Sequence, residues 1–206
     1  MSLGYGVCVG SWDKFSRFVV PRVRSRPVLA ISEQSSIGIA YNKILDAFEH
    51  ERLEALVLLH DDLEIVDPNA EDKIRAVMQD PNVALVGVAG GRDVWSLAWW
   101  DADTVGHQYI DEGRLLKFTS PTGDVQSLEG SFMAFSPWAI QHLRFDTRFT
   151  GFHGYDDIGM VAVNAGRRVV VADIDTHHHT QLGFKSKRSG ELWREADHLF
   201  RSKWNL

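Results

Sequence analysis

Cysteine is almost absent from this chain of 206 residues, since Cys8 is the only one. One thiol cannot form an internal disulfide, so the sequence excludes the disulfide-stabilised secreted scaffolds and fits a reducing compartment. Long apolar runs are also missing, because no segment approaches the roughly 18 residues that a membrane-spanning helix requires. The first residues lack the basic segment followed by an apolar one that marks a secretory signal peptide. We therefore predict a cytoplasmic location.

Positive charge is scarce as well. The 22 Lys and Arg residues are outnumbered by 28 Asp and Glu residues, which gives a formal net charge of −6. Proteins that bind nucleic acids normally show a basic face or stripe, so we expect no nucleic-acid partner. A negative protein that binds a negative ligand needs local cations, and a bound metal ion is a simple source of them.

The first half of the chain alternates apolar segments with helical patterns. Between the second and third predicted strands, apolar side chains recur at helical spacing over 37–48, which predicts a helix. A later helix is predicted to start at Asp67-Pro68, with Asp67 as the N-cap. Such alternation implies right-handed crossovers and a parallel sheet, so we predict an α/β fold. The predicted strands are residues 5–9, 28–31, 55–59, 83–89 and 168–172.

The second half is less regular. Residues 92–125 predict a long irregular segment with hairpin-like pieces, and loops of this length inside a compact domain are usually functional. A strand is predicted at 126–135. The tail, about 189–204, predicts an amphipathic helix that packs on the domain, with contact to a membrane surface as the alternative.

The most informative stretch is Leu-Leu-His-Asp-Asp at 58–62, where a strand buried on both faces ends in polar residues. In open α/β sheets, ligands bind beyond the carboxyl ends of the strands. The adjacent carboxylates Asp61 and Asp62 would repel each other unless a positive charge lies beside them. A divalent cation carrying a phosphorylated ligand would supply that charge. The alternative is a purely local turn or cap, because Asp often ends strands for that reason.

Four stretches together resemble the family 2-like glycosyltransferases of the GT-A fold, in the bacterial branch whose metal motif reads His-x-Asp. They are Ser-Ile-Gly-Ile-Ala-Tyr-Asn at 36–42, the 58–62 stretch, Val-Gly-Val-Ala-Gly at 86–90 and Leu-Glu-Gly-Ser at 128–131. Residues 144–157 look like the acidic motif that ends the catalytic half.

The resemblance implies a Rossmann-like, mainly parallel sheet flanked by helices, in a single GT-A domain over 1–206. Its nucleotide-binding half would span about 1–91 and its acceptor and catalytic half about 92–183. The implied activity is sugar transfer from a nucleoside diphosphate sugar to an acceptor hydroxyl, by an inverting and metal-dependent mechanism. The implied cofactor is Mn²⁺ or Mg²⁺, and the acceptor a carbohydrate or a lipid-linked molecule, as in polysaccharide biosynthesis.

Two rival functions remain open at this stage. A sugar-phosphate nucleotidyltransferase shares much of the architecture but needs a glycine-rich, basic loop after the first strand. The chain reads Gly-Ser-Trp-Asp-Lys-Phe there, at 10–15, and lacks the glycines. The other rival is a non-catalytic module that binds a sugar or nucleotide on the same fold.

The resemblance also implies roles for the polar residues after the third predicted strand. Asp62 would be the direct metal ligand, because a divalent metal stabilises the charge that develops on a departing diphosphate. Asp61 would lie near the ribose or the sugar. His60 would be an additional ligand or would orient the others.

Three residues around the second predicted strand are assigned to the nucleotide sugar by the same resemblance. Glu33 follows this strand, where the family often places an acidic residue near the nucleoside base. Ser35 belongs to the same turn and Asn42 to the 36–42 motif. Because the turn reads Ser-Glu-Gln-Ser-Ser rather than the usual acidic version, an N-cap role for it stays open as an alternative.

Late residues complete the predicted site. By the resemblance, Asp156 and Asp157 occupy the position of the general base, which removes the proton of the acceptor hydroxyl. One of the two would act as the base and the other would cap the following helix. Asp157 is the preferred base. Related enzymes often close the metal site with a late histidine. Alternate residues of a strand share a face, so His177 and His179 are predicted as metal ligands together with Asp62.

Overall fold

The computed structural model describes residues 2–23, 25–150, 154–180 and 187–206. Within these ranges the chain forms two sheets flanked by helices. The strands are β1 (Ser2–Val9), β2 (Val28–Ser32), β3 (Leu53–His60), β4 (Leu63–Ile65), β5 (Val83–Gly87), β6 (Ala89–Arg92), β7 (Asp103–Ile110), β8 (Arg114–Lys117), β9 (Gly123–Val125), β10 (Ser127–Leu128), β11 (Phe132–Phe135), β12 (Arg168–Val171) and β13 (Thr176–His178).

The helices alternate with the strands of the first half, as predicted. Ser36 and Ser136 accept hydrogen bonds at the N-termini of α3 and α5, from the backbone N–H groups of Ile39 and Ala139. The α-helices are α1 (Trp12–Lys14), α2 (Val20–Val23), α3 (Ile37–Phe48), α4 (Ala70–Met78), α5 (Pro137–His142), α6 (Gly154–Asn164) and α7 (Lys187–Trp204). A π-helical turn (Phe15–Val19) joins α1 to α2, and 3₁₀ turns lie at Trp99–Asp101 and Asp111–Gly113.

The larger sheet has the strand order β2-β1-β3-β11-β5-β12-β9. Strands β1, β2 and β3 run parallel, and so do β5 and β12, whereas β11 pairs antiparallel with both β3 and β5. The predicted mainly parallel α/β sheet is therefore confirmed. Because β1, β2 and β3 share one direction, the turns that follow them meet at one edge of the sheet.

Strand β3 is buried on both of its faces, as its apolar sequence predicts. Leu56 and Leu58 pack into a core that also contains α3, α5 and α6. Ala55, Val57 and Leu59 pack into the opposite core with α4 and the residues around α2. This sandwiching fixes the position of the polar residues that follow β3.

A smaller sheet, ordered β10-β6-β7-β13-β4 with β8 on β7, carries much of the 92–125 segment. The hairpin-like pieces predicted there are the antiparallel pairs β6–β7 and β7–β8. Strand β13 pairs antiparallel with β4, so that His177 lies opposite Glu64 and His178 opposite Leu63. Consecutive histidines of β13 consequently point to opposite faces of this sheet.

Several predicted element boundaries differ in the structure. The strand predicted over 83–89 is divided into β5 and β6, which belong to different sheets. The strand predicted over 126–135 is split into β10 and β11, because the chain turns between them at Gly130. The ring of Tyr155 fills that turn, since a Cβ on Gly130 would lie 2.1 Å from Cδ2 of Tyr155. Helix α4 begins at Ala70 rather than Pro68, and Asp67 instead accepts from the N–H of Asn69 in the preceding turn.

Helix α7 packs on the domain, as the preferred interpretation of the tail predicts. Ala196 and Phe200 are buried in a third apolar cluster, with Leu97, Trp99 and Phe149. Among the residues that the structure describes, no helix combines the length and the apolar character needed to cross a bilayer.

Candidate active site

Asp62 lies at the centre of a charged cluster beyond the carboxyl end of β3. Its Oδ2 atom is 2.9 Å from Nζ of Lys14, and its Oδ1 atom is 3.2 Å from Nε2 of His178. Burial by itself raises the pKa of the Asp62 carboxyl, but the hydrogen bonds and charges of His178 and Lys14 outweigh it and hold this pKa well below its usual range. Asp62 is therefore a buried, ionised carboxylate.

His60, at the end of β3 in the larger sheet, and His178, on β13 in the smaller sheet, both lie beside this carboxylate. The inner face of the smaller sheet is the face that carries His178. Their ring centroids are 5.3 Å apart, and one ligand atom from each lies within 4.8 Å of a carboxylate oxygen of Asp62. Nε2 of His60 is buried and has no hydrogen-bond partner among the described residues. Burial and the neighbouring His178 lower the pKa of His60, which keeps its imidazole neutral. A neutral imidazole with an unpartnered nitrogen is the form that binds a metal ion.

Asp61 organises the loop after β1. Its Oδ2 atom accepts hydrogen bonds from the backbone N–H groups of Gly10, at 2.7 Å, and Ser11, at 2.5 Å. Ser11 in turn caps the helix that carries Lys14. The two adjacent carboxylates thus have different roles. Asp61 orders the loop after β1, whereas Asp62 is the negative charge that pairs with Lys14 and His178.

Glu129 continues the row of charged groups beyond His178. Its Oε1 atom is 3.8 Å from Nδ1 of His178, and its Oε2 atom accepts from the N–H and the hydroxyl of Ser131. Gln108 donates to both Ser131 and Glu129 from strand β7. Asp62 and Glu129 both favour the charged imidazole, so the pKa of His178 is raised although burial alone would lower it.

The structure places His177 and His179 on the other face of the smaller sheet, away from the side chain of Asp62. They form a separate group with Glu64, in which Nε2 of His179 is 3.1 Å from Oε2 of Glu64. Strand alternation brings these two histidines together, as the sequence predicts. The same alternation brings His178 to Asp62, so the structure does not place His177 and His179 together with the Asp62 side chain.

The residues assigned to the nucleotide sugar fall into two groups. Glu33 and Ser35 are exposed in the turn after β2, and the N-cap of α3 is Ser36. Glu33 has a φ of 58°, a left-handed conformation that is uncommon for Glu. The amide of Asn42 donates to the backbone O of Phe145 at 2.9 Å and accepts from its N–H at 2.7 Å. Asn42 consequently links α3 to the chain after α5.

Asp156 and Asp157 begin helix α6, and both are buried. Asp156 accepts from the hydroxyl of Ser127 at 3.2 Å, and burial raises its pKa well above the usual range. Asp157 accepts from Nζ of Lys203 at 2.7 Å and from Nε1 of Trp204 at 2.8 Å, so both its oxygens are bonded to helix α7. A role for Asp157 as the base would require α7 to move away from it.

These contacts predict that Asp157→Asn destabilises the protein. The substitution removes one of the two carboxylates paired with Lys203, which keeps its contact to Asp146 at 3.0 Å. Breaking a buried ion pair typically costs about 3–5 kcal/mol. Because the Lys203 side chain is 23% exposed, we expect a smaller loss here, about 1.5–3 kcal/mol. Thermal unfolding should show a midpoint lower by about 3–12 °C, at roughly 2–4 °C per kcal/mol for a chain of this size.

A matched variant separates this role from catalysis. Lys203→Met removes the same ion pair from the α7 side, together with the contact of Lys203 to Asp146. It should lower the midpoint at least as much, while leaving Asp157 in place. An unchanged midpoint in both variants would contradict the anchoring role of Asp157.

Lys14, Glu129 and His178 are the site residues that sequence analysis does not assign individually. Glu129 belongs to the Leu-Glu-Gly-Ser motif, so its position carries a signal. His178 is the middle histidine of three, and only the register of β13 on β4 distinguishes it from its neighbours. Lys14 is a lone lysine after β1 and has no distinguishing pattern.

The site and the fold are similar to those of known proteins in sequence and in structure. The model of a family described as "Glycosyltransferase like family" matches residues 5–191. The streptomycin biosynthesis protein StrF of Streptomyces griseus is 33% identical over 206 residues, an alignment that covers 95% of this chain and 72% of StrF.

Two solved structures show the same fold at low sequence identity. "Crystal structure of GalNAc-T7 with UDP, GalNAc and Mn2+" matches with a TM-score of 0.61 and 8% identity, covering 88% of this chain and 44% of that one. "Crystal Structure of A197 from STIV" matches with a TM-score of 0.59 and 13% identity, covering 88% and 87%. The predicted GT-A architecture is thereby confirmed.

Proposed function

Because this chain belongs to the glycosyltransferase-like family, we propose that it transfers a sugar from a nucleoside diphosphate sugar to an acceptor hydroxyl, assisted by a divalent metal ion. The observation that carries the proposal is the cluster of Asp62, His178 and His60 at the carboxyl edge of the larger sheet. Ligands of open α/β sheets bind at this edge, beyond the ends of the parallel strands.

The three side chains suit a divalent metal ion. Asp62 supplies an ionised oxygen, and His60 offers a buried nitrogen that has no other partner within the described ranges. One carboxylate and two imidazoles favour Mn²⁺ or a later transition metal over Mg²⁺, which prefers oxygen ligands. Bound there, the metal would act as a Lewis acid that neutralises charge on the departing diphosphate.

Lys14 and the loop after β1 would assist with the same negative charge. The ammonium group of Lys14 is 2.9 Å from Asp62, and its side chain is 39% exposed, so it can also reach a ligand above the sheet. Asp61 holds Gly10 and Ser11 at the start of this loop. We propose that Asp61 contributes to donor binding by fixing this loop, and that Glu33 and Ser35 lie on the nucleoside side of the site.

For the general base we propose Glu129. Its side chain is 18% exposed and follows Asp62 and His178 in one row, whereas Asp156 and Asp157 are fully buried. A base must reach the acceptor proton, either directly or through one water molecule. With the base beside the metal site, the acceptor oxygen would attack the sugar directly, which agrees with the predicted inverting outcome.

The printed names of the relatives suggest where to look for substrates. The GalNAc-T7 structure holds UDP and Mn²⁺, and StrF is named for streptomycin biosynthesis. We therefore propose a UDP-sugar as the first donor to test, and a carbohydrate or lipid-linked acceptor. We also propose that the protein works in the cytoplasm, where such donors are made and where a single cysteine stays reduced.

A thermal-shift panel tests the donor proposal. We expect at least one of the UDP, GDP, dTDP and CMP sugars to raise the unfolding midpoint in the presence of Mn²⁺ and to have little effect without it. The reason is that a ligand stabilises the folded state in proportion to its affinity, and the metal bridges the diphosphate to Asp62.

The matching nucleoside monophosphate provides the control, because it lacks the diphosphate that the metal would hold. Equal shifts with the monophosphate and the diphosphate sugar, or equal shifts with and without Mn²⁺, would contradict the proposed metal role.

A further inference from the structure

The outer face of the smaller sheet carries a second group of potential metal ligands. Glu64 on β4 lies directly opposite His177 on β13, and His179 is two residues further along on the same face. One ligand atom from each of these three side chains lies within 4.8 Å of the others. All three are only partly buried, so an ion could reach them from solvent.

The spacing of two of these ligands already matches a metal site. Zinc binds imidazole nitrogen and carboxylate oxygen at about 2.0–2.2 Å in tetrahedral geometry, which places neighbouring ligand atoms roughly 3.3 Å apart. Nε2 of His179 and Oε2 of Glu64 are 3.1 Å apart. Rotation of the His177 ring out of its stack on His179 would bring a third ligand to this pair, with water as the fourth.

Both imidazole rings are held in place by contacts outside the group. The ring of His179 stacks on Phe18, with the centroids 3.7 Å apart, and on His177 at 3.9 Å. Nε2 of His177 is 3.0 Å from the carbonyl oxygen of Ile110. A proton donated to that carbonyl leaves Nδ1 with a lone pair, and a hydrogen bond of this kind commonly orients metal-binding histidines.

We propose that Glu64, His177 and His179 form a zinc site, separate from the site at Asp62 and independent of the donor chemistry. Two imidazoles with one carboxylate form an established zinc ligand set. Arg22 places a competing positive charge beside the site, because its guanidinium is 3.2 Å from Oε1 of Glu64, the oxygen that does not face His179.

Because the group joins β13 to β4, a bound ion would have a structural role. It would fasten β13 to β4, and the same two strands position His178 and Asp62 on the inner face. The backbone reinforces this connection, since the N–H of His179 donates to the carbonyl oxygen of Asp62 at 2.8 Å. An ion on the outer face would thus rigidify the strand pair that aligns the inner ligands.

The test counts zinc ions by native mass spectrometry after metal-free protein is equilibrated with Zn²⁺. We expect two ions on the wild-type protein, one on His177→Ala/His179→Ala and one on His178→Ala. Glu64→Gln, a milder change that guards against misfolding of the double variant, should weaken the outer site at least about tenfold. His50→Ala removes an exposed histidine at the end of α3 and should leave the count unchanged.

Two further measurements make the assignment specific. Arg22→Ala should tighten the outer site, because it removes a positive charge beside Glu64, and weaker binding in this variant would contradict the proposal. In His178→Ala, where the inner site is impaired, added Zn²⁺ should still slow hydrogen exchange of the β13 amides. The same ion count in the wild type and the double variant would overturn the outer site. That result would leave the proposed activity untouched, since Asp62 and Mn²⁺ test that separately.

Discussion

Asp62→Asn is expected to lose metal-dependent donor binding and nearly all turnover. The amide keeps the shape of the side chain but removes the only carboxylate in the inner group of His60, Asp62 and His178. Replacing a residue that only orients a metal ligand typically lowers metal affinity about 10–100-fold. The loss of a charged ligand should therefore lower metal affinity by more than about 100-fold. Turnover should fall by about 10³-fold or more, because the metal supplies several kcal/mol of transition-state stabilisation.

Calorimetric titration of Mn²⁺ and of a UDP-sugar, together with product formation, measures both effects. Asp61→Asn is the matched control, since its amide oxygen can still accept the hydrogen bonds from Gly10 and Ser11. This neighbouring variant should keep metal binding within a few-fold of the wild type. Donor binding by Asp62→Asn that is tight and independent of metal would show that the cluster does not hold the diphosphate.

Glu129→Gln is expected to lower kcat by about 10²–10⁴-fold with donor affinity nearly unchanged. The proton is transferred only in the transition state, so the lost interaction should appear in turnover rather than in ground-state binding. Glutamine keeps the length of the side chain and one oxygen to accept from Ser131. The acidic limb of the pH–kcat profile should flatten in the variant if the carboxylate is the base, a change that a purely structural role would not produce.

Asp156→Asn and Asp157→Asn are the comparison variants for this assignment. Asp157→Asn should lose stability while the remaining folded protein keeps most of its turnover, because both carboxylate oxygens serve helix α7. A near-normal kcat in Glu129→Gln, together with a large loss of kcat in either aspartate variant, would show that Asp156 or Asp157 is the general base instead of Glu129. Magnetic resonance of the first-formed product gives the anomeric configuration and tests the inverting outcome in the same series.

The sequence by itself determines the layered fold and the place of the site. Residues 55–59 are apolar at every position, which is typical of a strand covered on both faces, and the structure confirms this for β3. The polar turn that follows therefore had to lie at the carboxyl edge of the sheet, where Asp62 is found. Local patterns suffice here because burial and helix capping act over a few neighbouring residues.

Only the tertiary structure decided which distant side chains join Asp62. The three consecutive histidines predict that alternate side chains share a face, but not which face lies toward Asp62. A shift of one residue in the pairing of β13 with β4 would exchange the two faces. The observed register turns His178 inward and leaves His177 and His179 with Glu64. Likewise, the packing of α7 on the domain gives Asp157 its partners Lys203 and Trp204. Such contacts depend on how separate elements pack in space, and no periodicity along the chain encodes them.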